Sequence, residues 1–103
     1  MTRDVQREIA DLVQKHRVLV FMKGTRYMPQ CGFSAAAVQA ISEHTSDFAT
    51  VDVLADNEIR EGVKRFSNWP TIPQVYVDGK FIGGSDIVRE MHATGELARL
   101  IAK

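Results

Sequence analysis

Hydrophobic residues recur along the chain at two spacings, one typical of amphipathic helices and one typical of buried strands. Val5, Ile9, Leu12 and Val13 occupy positions i, i+4, i+7 and i+8, which places them on one face of a helix. The segment VLVFM, residues 18–22, contains no polar position. Such a short apolar run predicts a strand that is covered on both faces.

The same two patterns alternate through the rest of the chain. At helical spacing, Phe33 and Ile41 fall on the core-facing side of one helix, and Ile87 and Met91 on that of another. The elements predicted after residue 22 are a helix over 33–43, a strand over 48–53, a helix capped by Asp56, two strands within 74–83, a helix capped by Ser85 or Asp86, and a short terminal helix after Gly95.

The last two strands are predicted to form a hairpin. The dipeptide Asp78-Gly79 separates them, and this pair is a strong signal for a two-residue turn. Strand-helix-strand units earlier in the chain imply parallel neighbours. The order therefore predicts an α/β protein with a thioredoxin-like fold, in which one mixed four-stranded sheet carries helices on both faces.

Length and charge narrow the classes of function. The chain has 103 residues, of which 45% are hydrophobic, so a single domain over residues 1–103 is expected. Thirteen basic and thirteen acidic side chains cancel. The net charge therefore gives no reason to expect binding to nucleic acid, to an anionic membrane or to a strongly acidic substrate.

The cysteine content and the first residues indicate a compartment. Cys31 is the single cysteine, so no internal disulfide can form, as is typical of a reducing cytosol. Residues 1–20 mix acidic and basic side chains and lack an apolar stretch of signal-peptide length. The longest apolar run, residues 18–22, is too short to span a bilayer. We therefore expect a soluble, cytoplasmic protein.

Cys31 lies in the segment PQCGFSAA, at a predicted junction between a loop and a helix. A lone cysteine is often an inert, buried apolar side chain. Here the preceding Pro29 and Gln30 argue against deep burial, and a helix N-terminus favours the reactive thiolate. Lys23, at the start of the same loop, can add positive charge. A reactive thiol is therefore the favoured interpretation.

The segment SNWPTIPQ, residues 67–74, precedes the predicted hairpin. Pro73 cannot donate a hydrogen bond within a sheet, so it belongs at the start of a strand or, as a cis proline, in a tight turn. Either position leaves the backbone of Ile72 free to pair with an extended peptide. A plain rigid turn is the alternative.

Two further segments can contribute to a ligand site. Gly83 and Gly84 before a helix let backbone amides approach a carboxylate, and Asp86 can pair with an ammonium group. Arg60 and Lys64 lie four positions apart at the rim of an apolar helical face. A simple turn and a solvated charged face are the respective alternatives. Together with a thiol, these features suit a small peptide with two carboxylates, and glutathione fits that description.

Other candidates point to structure rather than to ligands. His16, His44 and His92 each fall near a predicted helix C-terminus, where a cation or donor satisfies free carbonyl groups. Their spacing does not match a zinc site. Trp69 is expected to pack beneath the proline-containing turn.

Four segments, FMKGT, PQCGFS, SNWPTIPQVYVDGKFIGG and SDI, occur in an order and spacing that resemble the monothiol glutaredoxins of the CGFS type. The resemblance covers nearly the whole chain, and the combination of Cys-Gly-Phe-Ser with Trp-Pro-Thr-Ile-Pro is highly specific. It implies a thioredoxin fold, a glutathione site and a role in handling iron-sulfur clusters.

The resemblance also implies roles for individual residues. Cys31 would be the catalytic thiol and the ligand of a 2Fe-2S cluster. Within the glutathione site, the basic residues would face the glycyl carboxylate, Ile72 would pair with the cysteinyl backbone, and residues 84–86 would hold the γ-glutamyl end. The residues implied to bind glutathione are Lys23, Gly32, Phe33, Arg60, Lys64, Ile72, Pro73, Gly84, Ser85 and Asp86.

The chain departs from the family pattern in two places, one single residue and one loop segment. Many members carry a second cysteine where this chain has Ser85, so an intramolecular disulfide cannot resolve a mixed disulfide here. Arg26, Tyr27 and Met28 stand where proline and acidic or polar residues are frequent. Partner preferences of relatives therefore do not transfer through this loop.

The cysteine count predicts a cluster stoichiometry. A 2Fe-2S cluster usually needs four thiolate ligands, and this chain provides one. Two chains and two glutathione molecules would complete the set. The predicted cluster-bound species is therefore a homodimer, with a monomeric apo state, and its exchangeable ligands would make the cluster labile enough to transfer.

Three functions follow as hypotheses. The favoured one is an iron-sulfur carrier that passes a cluster to acceptor apoproteins. The alternative is a glutathione-dependent thiol-disulfide oxidoreductase, in which the Cys31 thiolate attacks a protein-glutathione mixed disulfide and a second glutathione regenerates it. The resemblance implies weak activity of this kind. The third is a regulatory module that shares a cluster with a BolA-type protein.

Overall fold

The computed structural model describes residues 2–102. Within this range the helices and strands follow the predicted order, and the expected short helix after Gly95 is present. Element ends differ from the predictions by one or two residues. The bounds are α1 Val5–Lys15, β1 Val18–Met22, α2 Gly32–Ser42, β2 Ala49–Asp52, α3 Asn57–Ser67, β3 Gln74–Val77, β4 Lys80–Gly83, α4 Ser85–Thr94 and α5 Glu96–Ala102.

The four strands form one mixed sheet in the order β2-β1-β3-β4. β1 is parallel to β2, whereas β3 is antiparallel to both β1 and β4. All five residues of β1 are buried, because this strand has a neighbour on each side and helices above and below. The thioredoxin-like mixed sheet is therefore confirmed.

The sheet separates two layers of core. Val20 and Met22 of β1 pack on the face covered by α2, α4 and α5. Leu19 and Phe21 pack on the opposite face, beneath α1 and α3, together with Tyr76 of β3. Successive strand residues point to opposite faces, so the continuous apolar run of β1 supplies both layers.

Two sequence signals determine how helices and strands are joined. Asp56 caps α3 as predicted, since its Oδ1 accepts hydrogen bonds from the N–H groups of Glu58 and Ile59, at 3.1 and 3.2 Å. Asp78 and Gly79 both have positive φ, at 53° and 79°, as a two-residue hairpin turn requires.

The predicted cap of α4 is wrong. Neither Ser85 nor Asp86 is the N-cap, because the helix begins at Ser85 itself and Gly84 is the preceding residue. A side chain at Gly84 would bring its Cβ within 3.2 Å of the Pro73 carbonyl oxygen, so the chain passes too close to that turn for a capping side chain. The first amide groups of α4 therefore have no side-chain cap.

The strand directions bring three connections to one edge of the sheet. The C-terminal ends of β1 and β4 lie at the same edge as the N-terminal end of β3, because β3 is antiparallel to both. The loop after β1, the turn at 68–73 and the start of α4 therefore meet there. No helix in the described range is long and apolar enough to cross a membrane.

Candidate functional site

The three connections surround a cavity of about 430 Å³. Its lining includes every predicted site residue except Gly32, whose Cα faces open space instead. The geometry therefore brings together side chains that lie more than fifty positions apart in the sequence. The lining residues are Lys23, Cys31, Phe33, Arg60, Lys64, Trp69, Pro70, Thr71, Ile72, Pro73, Gly84, Ser85, Asp86 and Ile87.

Cys31 is half-buried at the N-cap position of α2, and its carbonyl accepts the Ala35 N–H at 2.9 Å. The backbone N–H of Ser34 is the largest influence that lowers the pKa of the Cys31 thiol. Partial burial opposes this effect, whereas the Phe33 N–H and the positive charge of Lys23 support it. The site therefore favours the thiolate, which is the nucleophilic and metal-ligating form of cysteine.

The end of β1 is tied to the start of α2 by Lys23 and Ser34. The Lys23 N–H donates to the Ser34 hydroxyl at 3.1 Å, and Ser34 is fully buried. The Lys23 carbonyl accepts the Gln30 N–H at 2.9 Å. The loop before Cys31 is therefore closed at its base, and the thiol has a defined position relative to the lysine.

Arg26 holds the rest of this loop against β2. Its Nη1 donates to the Phe48 carbonyl at 2.9 Å, and its guanidinium carbon lies 3.7 Å from the centroid of the Phe48 ring, a cation-π contact. The side chains that follow point outward, with Tyr27 84% and Met28 68% exposed. A fixed loop thus presents two large apolar side chains to solvent a few residues before Cys31 in the chain.

The turn before β3 contains a cis peptide bond between Ile72 and Pro73, one of the two forms that the sequence predicts. Within residues 2–102, neither the N–H nor the carbonyl of Ile72 makes a hydrogen bond by geometric criteria. Ile72 is nevertheless buried and lines the cavity. Its backbone is therefore available to an extended ligand, as predicted.

Arg60 and Lys64 place positive charge on the wall formed by α3. Arg60 Nε is buried without a hydrogen-bond partner in the described range, and the Lys64 Nζ lies 3.3 Å from the Glu61 carboxylate. Both side chains line the cavity, so they lie together with the other predicted site residues. Guanidinium and ammonium groups at this wall can receive a carboxylate.

The opposite wall is the start of α4. Ser85 is only 7% exposed, and its hydroxyl lacks a hydrogen-bond partner within residues 2–102. Asp86 follows in the first turn and is exposed. An uncapped helix N-terminus favours an anionic group, while the Asp86 carboxylate favours a cation. This wall can therefore bind a group that carries both charges.

Two residues that helical spacing groups with core positions line the cavity instead, and one of them, Phe33, is also among the residues implied to bind glutathione. Phe33 is 62% exposed and Ile87 is 39% exposed, because each lies in the first turn of its helix, beyond the edge of the sheet. Helical spacing groups them with buried positions but does not reveal where the sheet ends. Trp69 packs against Phe81, with ring centroids 5.9 Å apart, and also lines the cavity.

Sequence reasoning did not identify Trp69, Pro70, Thr71 and Ile87 as cavity residues. The first three directly precede Ile72 in the sequence and belong to the same turn. Their closeness to a predicted site residue could have identified them. Ile87 lies three positions after Gly84, which places it on the first turn of α4. For this residue, helical geometry combined with the predicted site at residues 84–86 was the available signal.

The three histidines lie at helix C-termini, as predicted, but the ring partners of two of them differ from the prediction. His16 is the C-cap of α1, and its backbone N–H bonds to the Leu12 carbonyl at 3.2 Å. The rings of His44 and His92 bond to each other rather than to helix carbonyls. No group of three or more His, Cys, Asp or Glu residues suited to a metal ion occurs in the described part of the chain.

Comparison with known proteins supports the motif resemblance. The family model described as Glutaredoxin matches residues 18–82. An uncharacterised monothiol glutaredoxin of Synechocystis sp. is 54% identical over 101 residues, which cover 98% of this chain and 94% of that protein. The mitochondrial glutaredoxin-related protein 5 of Danio rerio is 48% identical over 99 residues. This alignment covers 95% of the chain but only 64% of the zebrafish protein.

A solved structure gives the same result for the fold. The solution structure of reduced apo GrxS14 from poplar matches with a TM-score of 0.82 and 41% identity. The match covers 95% of this chain and 90% of the poplar chain. The sheet order and the arrangement of helices are therefore shared along almost the whole length.

Proposed function

This chain belongs to the glutaredoxin family, and from that membership and the geometry of the cavity we propose that it binds glutathione beside Cys31 and carries a 2Fe-2S cluster. The cluster would bridge two copies of the chain, with one glutathione thiolate contributed at each site. Acceptor apoproteins would receive it, and a BolA-type protein is proposed as a further partner.

The observation that carries the glutathione proposal is a pair of unsatisfied polar atoms. In the described range, Arg60 Nε and the Ser85 hydroxyl are buried side-chain atoms without hydrogen-bond partners, and both residues line the cavity that contains Cys31. A buried unpaired polar group costs about 1–3 kcal/mol. A ligand with polar groups at both ends would satisfy these atoms and recover that cost.

Glutathione matches the chemistry of the walls. Its glycyl carboxylate suits Lys23, Arg60 and Lys64. Its γ-glutamyl end carries a carboxylate for the uncapped amides of α4 and an ammonium group for Asp86. Its central peptide can pair with the free backbone of Ile72, and Pro73, Phe33 and Gly84 would shape the space around it. In this orientation the ligand thiol would lie near Cys31.

The cluster proposal depends on the donor set and on the surface around it. One cysteine thiolate per chain fits a shared cluster, since a 2Fe-2S centre usually takes four thiolates and glutathione can provide the other two. Three exposed apolar side chains, Phe33, Trp69 and Ile87, line the cavity that contains the thiol, and Tyr27 and Met28 are exposed in the loop that precedes Cys31. Apolar patches of this kind are typical of surfaces that meet another protein.

The chain's own residues would hold and release this cargo. The Ser34 amide and the Lys23 charge would keep Cys31 ionised and ready to ligate iron. The cluster itself would supply the delivered iron and sulfide. Because half of its ligands would be exchangeable small molecules, an acceptor with its own thiolates could replace them without unfolding the carrier.

Anaerobic reconstitution tests the proposal. Wild type and Cys31→Ser protein would be incubated with iron and sulfide, with and without glutathione, and followed by visible absorption and size-exclusion chromatography. A coloured dimer that requires both glutathione and Cys31 is expected. The same coloured dimer in Cys31→Ser, or a colourless monomer in wild type under all conditions, would contradict the carrier function.

Glutathione binding has its own test, which uses apo protein and calorimetry. Ser85→Ala removes a hydroxyl that has no hydrogen-bond partner among residues 2–102, so the free energy of unfolding should not fall, whereas glutathione affinity should decrease. Ser42→Ala, at an exposed serine, is the matched control and should change neither quantity. Unchanged affinity in Ser85→Ala would remove this hydroxyl from the proposed site.

The lowered pKa of Cys31 also favours a second candidate, a glutathione-dependent thiol-disulfide oxidoreductase. The thiolate would attack the glutathione sulfur of a mixed disulfide, form a Cys31-glutathione disulfide and release the protein thiol. A second glutathione thiolate would then attack this disulfide, yielding oxidised glutathione and free Cys31. A glutathione-coupled reduction assay on a glutathionylated protein distinguishes this activity from cluster transfer, and Cys31→Ser is its control.

A further inference from the structure

Gln74 is a polar side chain buried at the base of the cavity. It is 0% exposed, it directly follows Pro73, and it shares one face of β3 with Tyr76. Its Nε2 lies 3.1 Å from the Trp69 carbonyl and 3.3 Å from the Thr71 carbonyl. Its Oε1 lies 3.0 Å from the Tyr76 hydroxyl. The buried side-chain amide of Gln74 is thus hydrogen-bonded through its nitrogen to the turn and through its oxygen to Tyr76.

The hydrogen-bond pattern determines the orientation of this amide. Carbonyl oxygens only accept, so the two donors of the Gln74 side chain must face Trp69 and Thr71. The oxygen then faces Tyr76, whose hydroxyl must donate. Burial raises the pKa of Tyr76 to about 12, so its hydroxyl keeps its proton at neutral pH.

Tyr76 is a rigid anchor for this chain of hydrogen bonds. It is 1% exposed, and its ring contacts those of Phe21, Phe66 and Phe81, with centroids 5.6, 6.1 and 5.5 Å away. The hydroxyl therefore has little freedom to follow a displaced partner. Gln74 connects this fixed point in the core to a turn on the surface.

The turn has few other hydrogen bonds. Its first residue is held by the Trp69 N–H, which bonds to the Lys64 carbonyl at 3.1 Å and to the Ser67 hydroxyl at 3.2 Å. In the described range, the hydrogen bonds to residues 70–72 are limited to the one from Gln74 to Thr71. The side chain of Ile72 packs in the core with Leu19 and Phe21 of β1, but within residues 2–102 no hydrogen bond to the sheet fixes its backbone.

We propose that Gln74, oriented by Tyr76, is a positioning residue that sets the place of the turn 69–73 and thereby the geometry with which Ile72 pairs with a peptide ligand. The expected effect of Gln74 on glutathione affinity rests on the proposed glutathione site. The effect of Gln74 on the position of the turn does not require a ligand. The two parts can therefore be measured separately.

Trp69 is the single tryptophan of the chain, so its fluorescence reports on this turn. Gln74→Met keeps the length of the side chain but removes its hydrogen bonds, and Tyr76→Phe keeps the ring but removes the hydroxyl. In Gln74→Met, acrylamide should quench Trp69 more strongly, and the dissociation constant of glutathione should rise about tenfold, the effect of losing one well-placed polar interaction. Tyr76→Phe should change both quantities in the same direction by a smaller factor.

Val77→Ala is the matched control for damage to the core. Val77 is 2% exposed on the same strand, and its truncation should lower stability without altering Trp69 quenching or glutathione affinity. Unchanged quenching in both folded test variants would overturn the positioning role. If wild type binds no glutathione, the proposed site fails, whereas the quenching data still decide whether Gln74 positions the turn.

Discussion

The imidazole rings of His44 and His92 are hydrogen-bonded to each other, with 2.8 Å between Nε2 of the first and Nδ1 of the second. His44 follows the end of α2, and His92 lies in the last turn of α4. The bond therefore joins the C-terminal ends of the two helices whose N-terminal ends carry Cys31 and Ser85. Sequence pattern places both histidines at helix ends but contains no information that the two ends are adjacent.

A double-mutant cycle on this pair measures the bond. His44→Ala and His92→Ala should each lower the free energy of unfolding by about 1 kcal/mol, and the double variant should lose less than the sum, with a coupling of about 0.5–1 kcal/mol. Urea denaturation provides the four values. His16→Ala combined with His92→Ala is the control and should show no coupling. Additive losses for His44 and His92 would mean that the bond contributes nothing to stability.

The rate at which Cys31 reacts with an alkylating reagent should depend on pH, with a midpoint shifted to lower pH by the groups around the thiol. Because the Ser34 amide and the Lys23 charge lower the pKa of the thiol, the thiolate should persist to lower pH than in an ordinary cysteine. The rate of alkylation by iodoacetamide should reach half its maximum below the pH typical of free thiols. Lys23→Met should raise that midpoint only part of the way, since the Ser34 amide remains.

The matched control for this measurement is Lys80→Met, at an exposed lysine of β4 that is not part of the cavity. Its alkylation profile should coincide with that of wild type. A wild-type midpoint equal to that of an unperturbed thiol would contradict the assigned environment of Cys31.

Arg3 should make stability depend on acid and salt. It pairs with Asp56 and Glu58 at 2.8 and 2.7 Å, and also with Glu8. Its hydrogen bonds are the main cause that lowers the carboxyl pKa of Glu8 and of Asp56. A carboxyl whose pKa is depressed by folding contributes stability above its unfolded pKa, and that stability is lost as the pH falls through the folded pKa.

Wild type should therefore lose stability more steeply than Arg3→Gln on acidification, and the difference at neutral pH should shrink at high salt. Urea midpoints measured from neutral into acidic pH, at low and high ionic strength, check both effects. Arg89→Gln, at an exposed arginine, should follow the wild-type slope. If the urea midpoints of Arg3→Gln and wild type fall in parallel as the pH is lowered, the ion pairs of Arg3 do not contribute to the pH dependence of stability.

The parts of the fold that the sequence predicts are those with local causes. VLVFM indicates a buried central strand, Asp78-Gly79 indicates a hairpin, and each conclusion needs only neighbouring residues. The motifs around Cys31 and Pro73 locate the site because they follow or precede strands that end at one edge. Helical spacing alone grouped Phe33 and Ile87 with the core, because it cannot show where the sheet stops covering a helix, whereas the family resemblance assigned Phe33 to the site.

Other features depend on contacts between distant segments. The Ser85 hydroxyl, which has no partner within residues 2–102, follows directly after the close approach of Gly84 to Pro73, and no sequence pattern describes either feature. The bonds of Gln74 to the turn before it require a folded chain in which that side chain points back under residues 69–71. Ser85 and Gln74 are polar residues at buried positions, and only the structure shows that they are buried.

Gly24 and Gly79 allow the cost of a crowded loop to be separated from the cost of an unfavourable backbone conformation. Both have positive φ, at 89° and 79°, so alanine at either position should cost about 1–2 kcal/mol of stability. At Gly79 the nearest atom to an added Cβ is 3.6 Å away, whereas at Gly24 the Met28 carbonyl and the Gln30 N–H nitrogen would both lie 2.6 Å away. The free energy of unfolding should therefore fall by about 1–3 kcal/mol more in Gly24→Ala than in Gly79→Ala. Gly24→Ala should also alter the alkylation rate of Cys31, because the crowded backbone segment leads directly to the thiol. Urea denaturation and alkylation of the two variants test this, and equal losses with unchanged alkylation would mean that the loop before Cys31 adapts freely to the added carbon.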